Sequence, residues 1–186
     1  MKFKKLFSKS NKEIKGPLLL KNKTYDDERG YFKETWNKKK FEKTSGSNQD
    51  FVQDNHSFSL KGVLRGMHYQ KEPKAQGKLV RCIRGEIFDV IIDIREDSDT
   101  FLEWVGLELN EKEHEHLWVP KGFAHGFLTL SEKAEVIYKT TEYWSKVHEC
   151  TISWKDPKIN IIWPNLQMDY IISEKDKLAK NHKVKL

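Results

Sequence analysis

Two short segments of the chain each place a histidine a few residues after a glycine, which makes them the leading candidates for chemistry. The first segment runs from Gly62 to His68, and the second runs from Pro120 to His125. An imidazole changes its charge near neutral pH, so two of them brought together can move protons or bind a metal ion. A lysine, Lys78, lies between the two segments along the chain.

The two segments resemble the paired motifs of the cupin superfamily of β-barrel proteins, G-x5-H-x-H-x3,4-E-x6-G and P-x-G-x2-H-x3-N. In that superfamily the motifs usually supply a metal ion with three His and one Glu. Here Gln70 stands at the second His, and Lys78 stands at the Glu when the motif is counted back from Gly85. Because an ammonium group repels a divalent cation, no metal ligand set is expected. The sequence instead predicts a site in which Lys78 supplies the positive charge.

The formal net charge of +6 lies in the two ends of the chain. Residues 1–15 carry six Lys and one Glu, and residues 175–186 carry five Lys and one Asp, so the middle is slightly acidic. We therefore predict a loose basic lead-in over 1–15 and a single domain over 16–186. Since no nucleic-acid reader motif is present, no nucleic-acid partner is expected.

The two cysteines and the hydropathy pattern bear on location. Cys82 and Cys150 lack the C-x-x-C spacing of zinc and redox motifs, which favours reduced thiols. No window approaches the roughly 18 apolar residues that a membrane span needs, and no signal-peptide run follows the Lys-rich start. The sequence predicts a cytoplasmic protein with no membrane partner.

The middle of the chain reads as a series of short strands separated by turn residues, which favours a β-sandwich or barrel. Strands are predicted at Leu79–Arg84, Ile87–Ile94, Phe101–Leu109, Leu117–Val119, Phe127–Leu130 and Glu135–Thr141. A helical turn or two is predicted at 38–44, and a capping-box pattern at Ser173–Asp176 predicts a C-terminal helix. The stretch His114–His116 is expected to form a solvated turn.

Beyond these motifs, the chain resembles the dTDP-4-dehydrorhamnose 3,5-epimerase family from about residue 15 to 178. The matching pieces occur in the expected order: Asp27–Glu34, Gln53–Ser57, Val63–Gln70, Gln76–Arg81, Phe88–Val90, Gly122–Phe127, Tyr138–Thr141, Asp156–Pro157, Ile162–Pro164 and Ser173–Asp176. The resemblance implies a mainly β, cupin-type double-stranded β-helix, or jelly-roll barrel. It also implies an N-terminal strand extension and a short C-terminal helix.

The resemblance further implies an isomerase that converts dTDP-4-dehydro-6-deoxy-D-glucose to dTDP-4-dehydro-L-rhamnose. His68 would be the catalytic base, Tyr138 the opposing acid, and Asp176 the carboxylate that orients His68. Positions that match family contacts to the nucleotide sugar are Arg29, Glu34, Gln53, Asn55, Arg65, Lys78, His125, Glu149 and Lys175. The family also implies a homodimer whose N-terminal strand reaches the neighbouring subunit, with no metal or organic cofactor.

The expected reaction needs these residue types. Epimerisation beside a keto group removes a proton from one face of the sugar and returns one to the other face, through an enolate. Histidine suits the base, and tyrosine keeps a proton at neutral pH that it can release to the enolate. Lys78 is the candidate donor at the enolate oxygen, where one preorganised donor is worth roughly 3–4 kcal/mol. Arg29 and Arg65, helped by Lys175, would bind the diphosphate.

Some residue roles stay open at this level. Asp89, in a buried strand pattern, competes with Asp176 as the partner of His68, and Asp176 has a structural alternative in the capping box. His125 is either a substrate contact or a structural histidine.

Three classes of function also stay open: a nucleotide-sugar epimerase, a metal-dependent cupin enzyme and a non-catalytic sugar-binding module. Gln70 and Lys78 disfavour the second class, and the third does not need an acid–base pair. Within the first class, double epimerisation, single epimerisation and ketoisomerisation can share one scaffold. Three residues, Leu102, Trp144 and Lys155, replace the Gly, Tyr and Asp common in the family, and Trp144 bears on the fit of the substrate.

Overall fold

The computed structural model describes residues 1–182, and over this range the chain folds mainly into β-strands. The strands are β1 (Lys2–Phe7), β2 (Glu13–Lys21), β3 (Thr24–Asp27), β4 (Gly30–Lys33), β5 (Gln53–Leu60), β6 (Val63–Gln70), β7 (Lys78–Arg84), β8 (Glu86–Asp93), β9 (Trp104–Asn110), β10 (Glu115–Val119), β11 (Phe123–Thr129), β12 (Lys133–Thr140), β13 (Glu149–Thr151) and β14 (Ile171–Ile172). The helices are α1 (Lys38–Ser45) and α2 (Glu174–Lys177). The end of the basic C-terminal tail, 183–186, lies outside the described residues.

Two sheets form the body of the molecule. The first has the order β1-β2-β10-β7-β12-β5, and the second has the order β13-β6-β11-β8-β9 with β14 added beside β6. Strands β3 and β4 form a separate hairpin. Apart from β1-β2 and β8-β9, neighbours in these sheets come from distant parts of the chain. This is the double-sheet arrangement of a jelly roll, and the predicted cupin-type fold is confirmed.

The main hydrophobic core lies between the two sheets. Val80 and Cys82 of β7 and Val136 of β12 meet Ile91 of β8 and Phe127 of β11 there. Because alternate residues of a strand point to the same face, Lys78 continues the inward row of β7 and Tyr138 continues that of β12. The apolar alternation of these strands therefore aims two polar side chains at the space beside the core.

The prediction of a loose lead-in over residues 1–15 is wrong. Strand β1 pairs with β2 in antiparallel register, and Leu6 and Ile14 are buried in the main core. Three of the lysines that suggested a solvated tail, Lys2, Lys4 and Lys5, are exposed on this edge strand, where charge discourages pairing with other chains.

The prediction of a solvated turn at His114–His116 is also wrong for two of its three residues. Glu115 and His116 begin β10 and are only 9% and 5% exposed. Strand β10 pairs with β2 on one side and with β7 on the other, so its first residues are covered in spite of their polarity.

The other elements agree with prediction to within a few residues, but two start elsewhere: the strand expected from Phe127 begins at Phe123, and the strand expected from Phe101 begins at Trp104. The later start of this strand arises at Asp93. Its buried carboxylate accepts hydrogen bonds from Arg95, Ser98 and Thr100, which holds the residues before Trp104 in a compact loop. Within residues 1–182, no helix has the length and apolar character to cross a membrane.

Candidate active site

A cavity of about 690 Å³ opens between the two sheets beside the core, and a smaller one of about 260 Å³ adjoins it. His68, Lys78, Tyr138 and Glu149 line both cavities, which we treat together as one cleft. Tyr138 and Lys78 come from the first sheet, on β12 and β7, whereas His68 and Glu149 come from the second sheet, on β6 and β13. Side chains from both walls therefore face the same space.

His68 of β6 is held by a buried carboxylate of α2. Its Nε2 lies 2.7 Å from Oδ1 of Asp176, which is 3% exposed. Burial by itself would raise the pKa of Asp176, but the hydrogen bond and charge of His68, together with the Gly66 N–H, hold that pKa below its usual range. Asp176 is therefore ionised at neutral pH and accepts a hydrogen bond from the Nε2–H of His68. This leaves Nδ1 of His68 as the nitrogen that can take up a proton.

Two further hydrogen bonds, to Ser173 and to Gly66, fix the position of Asp176. The Ser173 hydroxyl caps α2 by accepting a hydrogen bond from the Asp176 N–H, as the capping box predicted. The second carboxylate oxygen, Oδ2, accepts the N–H of Gly66 at 3.3 Å. Because Gly66 is two residues before His68 on β6, the carboxylate is tied to the strand that carries its histidine.

Tyr138 lies on the opposite wall from His68. It sits on β12 beside Asn55 of β5 in register, and its ring packs against the main core. Burial raises the pKa of Tyr138 above its ordinary value, although the nearby charge of Arg65 acts in the other direction. The phenol is consequently protonated at neutral pH and can donate a proton.

Lys78 projects from β7 into the cleft, where its Nζ lies 3.4 Å from the backbone oxygen of His68. Loss of hydration lowers the pKa of Lys78 to about 8, against the opposing charges of Asp89 and Glu149. The ammonium form thus predominates at neutral pH. The expectation that this amine faces the site and not bulk water agrees with the geometry.

The competition between Asp89 and Asp176 is resolved by distance. Asp89, which is fully buried, accepts a hydrogen bond from Nε2 of His125 through its two oxygens, at 2.8 and 3.0 Å. His125 and His68 are cross-strand neighbours on β11 and β6, so each imidazole of the pair has its own carboxylate. His125 lines the larger cavity, and its Nε2 is held by Asp89, which does not line that cavity.

The residues at the cupin metal positions do not fit a metal ion. The side chain of Gln70 is committed to a loop, since its Nε2 donates to the carbonyls of Lys74 and Tyr143 and its Oε1 accepts the N–H of Ser145. Lys78 adds a cation where a ligand would be required. Within residues 1–182, no cluster of three or more His, Cys, Asp or Glu side chains is arranged to hold a metal.

Five of the predicted substrate-binding residues surround the catalytic candidates. Gln53 and Asn55 are hydrogen-bonded to each other in the smaller cavity, and Lys175 forms an ion pair of 3.0 Å with Glu149. Arg65 lines the larger cavity, and its guanidinium donates to the Ser59 hydroxyl and the Phe58 carbonyl. No carboxylate neutralises Arg65 among the described residues, so its charge is available to an anion.

Comparison with known proteins matches the chain to one family. The family model described as dTDP-4-dehydrorhamnose 3,5-epimerase matches residues 11–183. The chain belongs to the dTDP-4-dehydrorhamnose 3,5-epimerase family. It is therefore an isomerase, and the resemblance seen in its motifs is confirmed.

Individual relatives agree over most of their length. A dTDP-4-dehydrorhamnose 3,5-epimerase of Shigella flexneri is 53% identical over 164 residues, which is 88% of this chain and 90% of the relative. The crystal structure of the enzyme of that name from Elizabethkingia anophelis superposes with a TM-score of 0.89 at 42% identity, covering 97% of this chain and 96% of that one. A dTDP-6-deoxy-D-glucose-3,5-epimerase from Legionella pneumophila, solved with dTDP-4-keto-L-rhamnose, gives the same TM-score and identity over 97% and 93%.

Two of the predicted substrate-binding residues of this family member lie outside the cleft. Arg29, in the turn between β3 and β4, has a side chain that is 82% exposed and pairs with Asp27. Glu34 contacts Lys40 and Asn37 and lines a different cavity. Within a single chain, these two residues are therefore not brought to His68.

One feature of the site was expected only in part, and another was not recognised from the sequence. Trp144, expected to bear on the fit of the substrate, lines the smaller cavity with 55% of its surface exposed. Gly66 and Gly126 let β6 and β11 approach closely beside the two histidines, and a Cβ on Gly126 would lie 2.6 Å from the carbonyl oxygen of Arg65. The glycine of the Ala-His-Gly-Phe stretch was the available signal, because Gly inside a strand often marks a close backbone approach.

Proposed function

We propose that this family member converts dTDP-4-dehydro-6-deoxy-D-glucose to dTDP-4-dehydro-L-rhamnose by epimerising the two carbons that flank the keto group. The observation that carries the proposal is the placement of the His68–Asp176 pair and of Tyr138 on opposite walls of one cleft, with the Lys78 amine projecting into the same space. A base and an acid on opposite faces of the ring are what inversion at carbon requires.

His68 acts as the base. Its Nε2–H is bound by the Asp176 carboxylate, so Nδ1 accepts the proton from the carbon next to the keto group. The carboxylate stabilises the imidazolium that forms. A positioned base of this kind contributes about 10²–10⁴-fold to the rate.

The enolate that results is stabilised by Lys78 and protonated by Tyr138. The electron pair left by the C–H bond forms a C=C bond while the carbonyl π pair moves onto the keto oxygen, where the ammonium of Lys78 meets the new negative charge. The phenol of Tyr138 then donates its proton to the same carbon from the other face. Exchange with water returns a proton to Tyr138 and removes one from His68, so the enzyme is ready for the second carbon.

The nucleotide end of the substrate is held by cations and by an aromatic surface. Arg65 and Lys175 supply positive charge for the diphosphate. The exposed indole of Trp144 offers a flat face on which a nucleobase can stack. Gln53, Asn55, His125 and Glu149 supply hydrogen-bonding groups around the sugar.

Arg29 and Glu34 act, in this proposal, from a second copy of the chain in a homodimer. The β3–β4 hairpin that carries Arg29 exposes Tyr25, Tyr31 and Phe32 to extents of 54%, 58% and 71%. Such clustered exposed aromatic residues are typical of a protein interface. A hairpin seated against a neighbour would bring Arg29 to a cleft that it does not reach within its own chain.

The reaction is tested by following it by NMR in D₂O with dTDP-4-dehydro-6-deoxy-D-glucose. We expect deuterium at both carbons next to the keto group, with inverted configuration, and no incorporation by His68→Ala, which should fold as the wild type does. Failure of the wild type to exchange either proton would contradict the proposal and leave a sugar-binding module.

The same spectra, together with a chelator experiment, separate the remaining alternatives. Label at one carbon only would indicate a single-site epimerase, and movement of the keto group would indicate a ketoisomerase. Activity that disappears with a chelator and returns with a divalent metal would favour a metal-dependent enzyme. The absence of any cofactor and the cytoplasmic location stay predictions.

A further inference from the structure

The chain that leaves α2 folds back onto a loop behind the active site. The Ser153 N–H donates to the Lys180 carbonyl at 3.0 Å, and the His182 N–H donates to Oδ2 of Asp156 at 2.6 Å. We call these contacts between 153–156 and 180–182 the C-terminal clasp. They lie outside the cleft, because none of these residues lines either of its cavities.

Asp156 is the centre of the clasp. It is 1% exposed, and its other oxygen accepts the N–H of Lys158 at 2.9 Å. No cation pairs with Asp156 among the described residues. Burying a carboxylate without a counter-ion is expensive unless backbone donors satisfy it. Here one of those donors comes from the C-terminal chain, so the carboxylate is positioned to hold that chain in place.

The loop that the clasp holds is itself fastened to the strand of the proposed base. Strand β13 pairs with the end of β6, with Thr151 opposite His68. Ile152 then exchanges two backbone hydrogen bonds with Met67, at 3.2 and 2.9 Å. The segment 149–156 therefore connects β6 on one side with the chain after α2 on the other.

Helix α2 needs such support at its end. It has only four residues, and a helix of that length does not persist without external contacts. The Ser173 cap fixes its start, and the clasp fixes the chain just beyond it. Asp176 lies between these two attachments and must stay within hydrogen-bonding distance of His68.

We infer that Asp156 is a positioning residue of the reaction, which holds α2 through the C-terminal clasp so that Asp176 keeps His68 oriented. The inference rests on the proposed role of His68 as the base. With the clasp open, α2 can move and Nε2 of His68 loses its fixed acceptor. The imidazole then samples both tautomers and more than one orientation. Loss of an outer contact that orients a metal-binding histidine typically costs about 10–100-fold, and we expect a loss of the same order here.

The test compares two truncations in the full epimerisation assay. Ending the chain after Leu178 removes the C-terminal half of the clasp, whereas ending it after His182 keeps the clasp and serves as the matched control. We expect the first truncation to lower kcat about 10–100-fold while KM changes less than about twofold. The control should keep both constants, and Asp156→Ala should behave like the first truncation.

A spectroscopic measurement separates positioning from a general effect on stability. The ¹⁵N shifts of His68 should show the Nε2–H tautomer in the wild type and in the control truncation. In the first truncation and in Asp156→Ala, we expect a mixture of tautomers.

A wild-type kcat, or an unchanged tautomer alongside a lowered kcat, would overturn the inference. So would unfolding of the first truncation, because the segment would then act in stability. If His68→Ala kept full activity, the proposed base would be wrong, and the tautomer measurement would still judge the clasp.

Discussion

The charge of Lys78 depends on its surroundings in the cleft. An ordinary lysine stays charged well above neutral pH, but burial in the cleft wall lowers the pKa of Lys78 to about 8. The ammonium is present below that pH and is lost as the pH rises through it. A donor at the enolate oxygen is useful only while it carries its proton.

We therefore expect kcat/KM to fall as the pH rises through about 8, the pKa of Lys78 in the free enzyme. Lys78→Met should lower kcat about 10²–10³-fold at pH 7, because one oxyanion donor is lost. Its residual activity should lack the decline near pH 8. The half-buried Lys139, which pairs with Asp54 outside the cleft, provides the matched control: Lys139→Met should keep the wild-type profile. A decline that persists in Lys78→Met would assign it to another group.

Tyr138 is expected to affect return of the proton more than its removal. Tyr138→Phe keeps the ring in the core and deletes only the hydroxyl, so His68 can still form the enolate. Measured in D₂O, the variant should exchange substrate protons with solvent while making product about 10²–10⁴-fold more slowly, the usual contribution of one positioned acid. An equal loss of exchange and of product formation would count against Tyr138 as the acid.

The residues brought to the cleft were largely predictable from the sequence, and the family resemblance implied the His68–Asp176 pair, but the residue patterns left Asp89 as an alternative partner. Family motifs identified His68, Tyr138 and Asp176. The choice between Asp89 and Asp176 required the strand order β6-β11-β8, which places Asp89 behind His125. That order results from pairings between distant segments, and local residue patterns carry no information about them.

At the level of elements, the close approach of β6 and β11 positions both histidines. A Cβ on Gly126 would lie 2.6 Å from the Arg65 oxygen and 2.7 Å from Sδ of Met67, and both neighbours are on β6. Gly126→Ala must therefore push the two strands apart. Met67 is fully buried, which leaves its sulfur little room to move.

We expect Gly126→Ala to lower the free energy of unfolding by about 1–3 kcal/mol, the usual cost of overpacking a core. Urea denaturation measures this change as a lower midpoint with an unchanged slope. Glu108→Ala, on the exposed side of β9, is the control and should stay within about 0.5 kcal/mol of the wild type. A stable Gly126→Ala protein with normal kcat would show that the approach of the strands is not required.

Element boundaries in the middle of the chain followed from apolar alternation, and the failures have a common cause. Residues 1–15 are rich in polar side chains, and His116 lies in a polar stretch, yet both regions contribute to strands of the first sheet. A charged edge strand and the polar start of a central strand carry a weak local pattern. These strands form because they are hydrogen-bonded to their neighbours β2 and β7. Composition does not reveal those pairings.

At the scale of the whole molecule, the cleft of one chain lacks two of the residues that the family resemblance predicted to bind the substrate. Arg29 is at the tip of an exposed hairpin, and Glu34 follows the same hairpin. A twofold dimer places the same surface of each subunit against the other, so two exchanged hairpins could complete two clefts at once. Arg29 would then act in trans.

Mixed dimers test that arrangement. Arg29→Ala should lower kcat/KM about 10–100-fold, because a hydrogen bond to a charged group is worth roughly 1.5–3 kcal/mol, and His68→Ala should be inactive. When the two variants are refolded together at equal amounts, about half of the dimers contain one subunit of each kind. If Arg29 acts in trans, one cleft of each mixed dimer is intact, and activity at low substrate should recover to about a quarter of the wild type. If Arg29 acts within its own chain, every cleft keeps at least one defect, so activity would remain at the level of the separate variants.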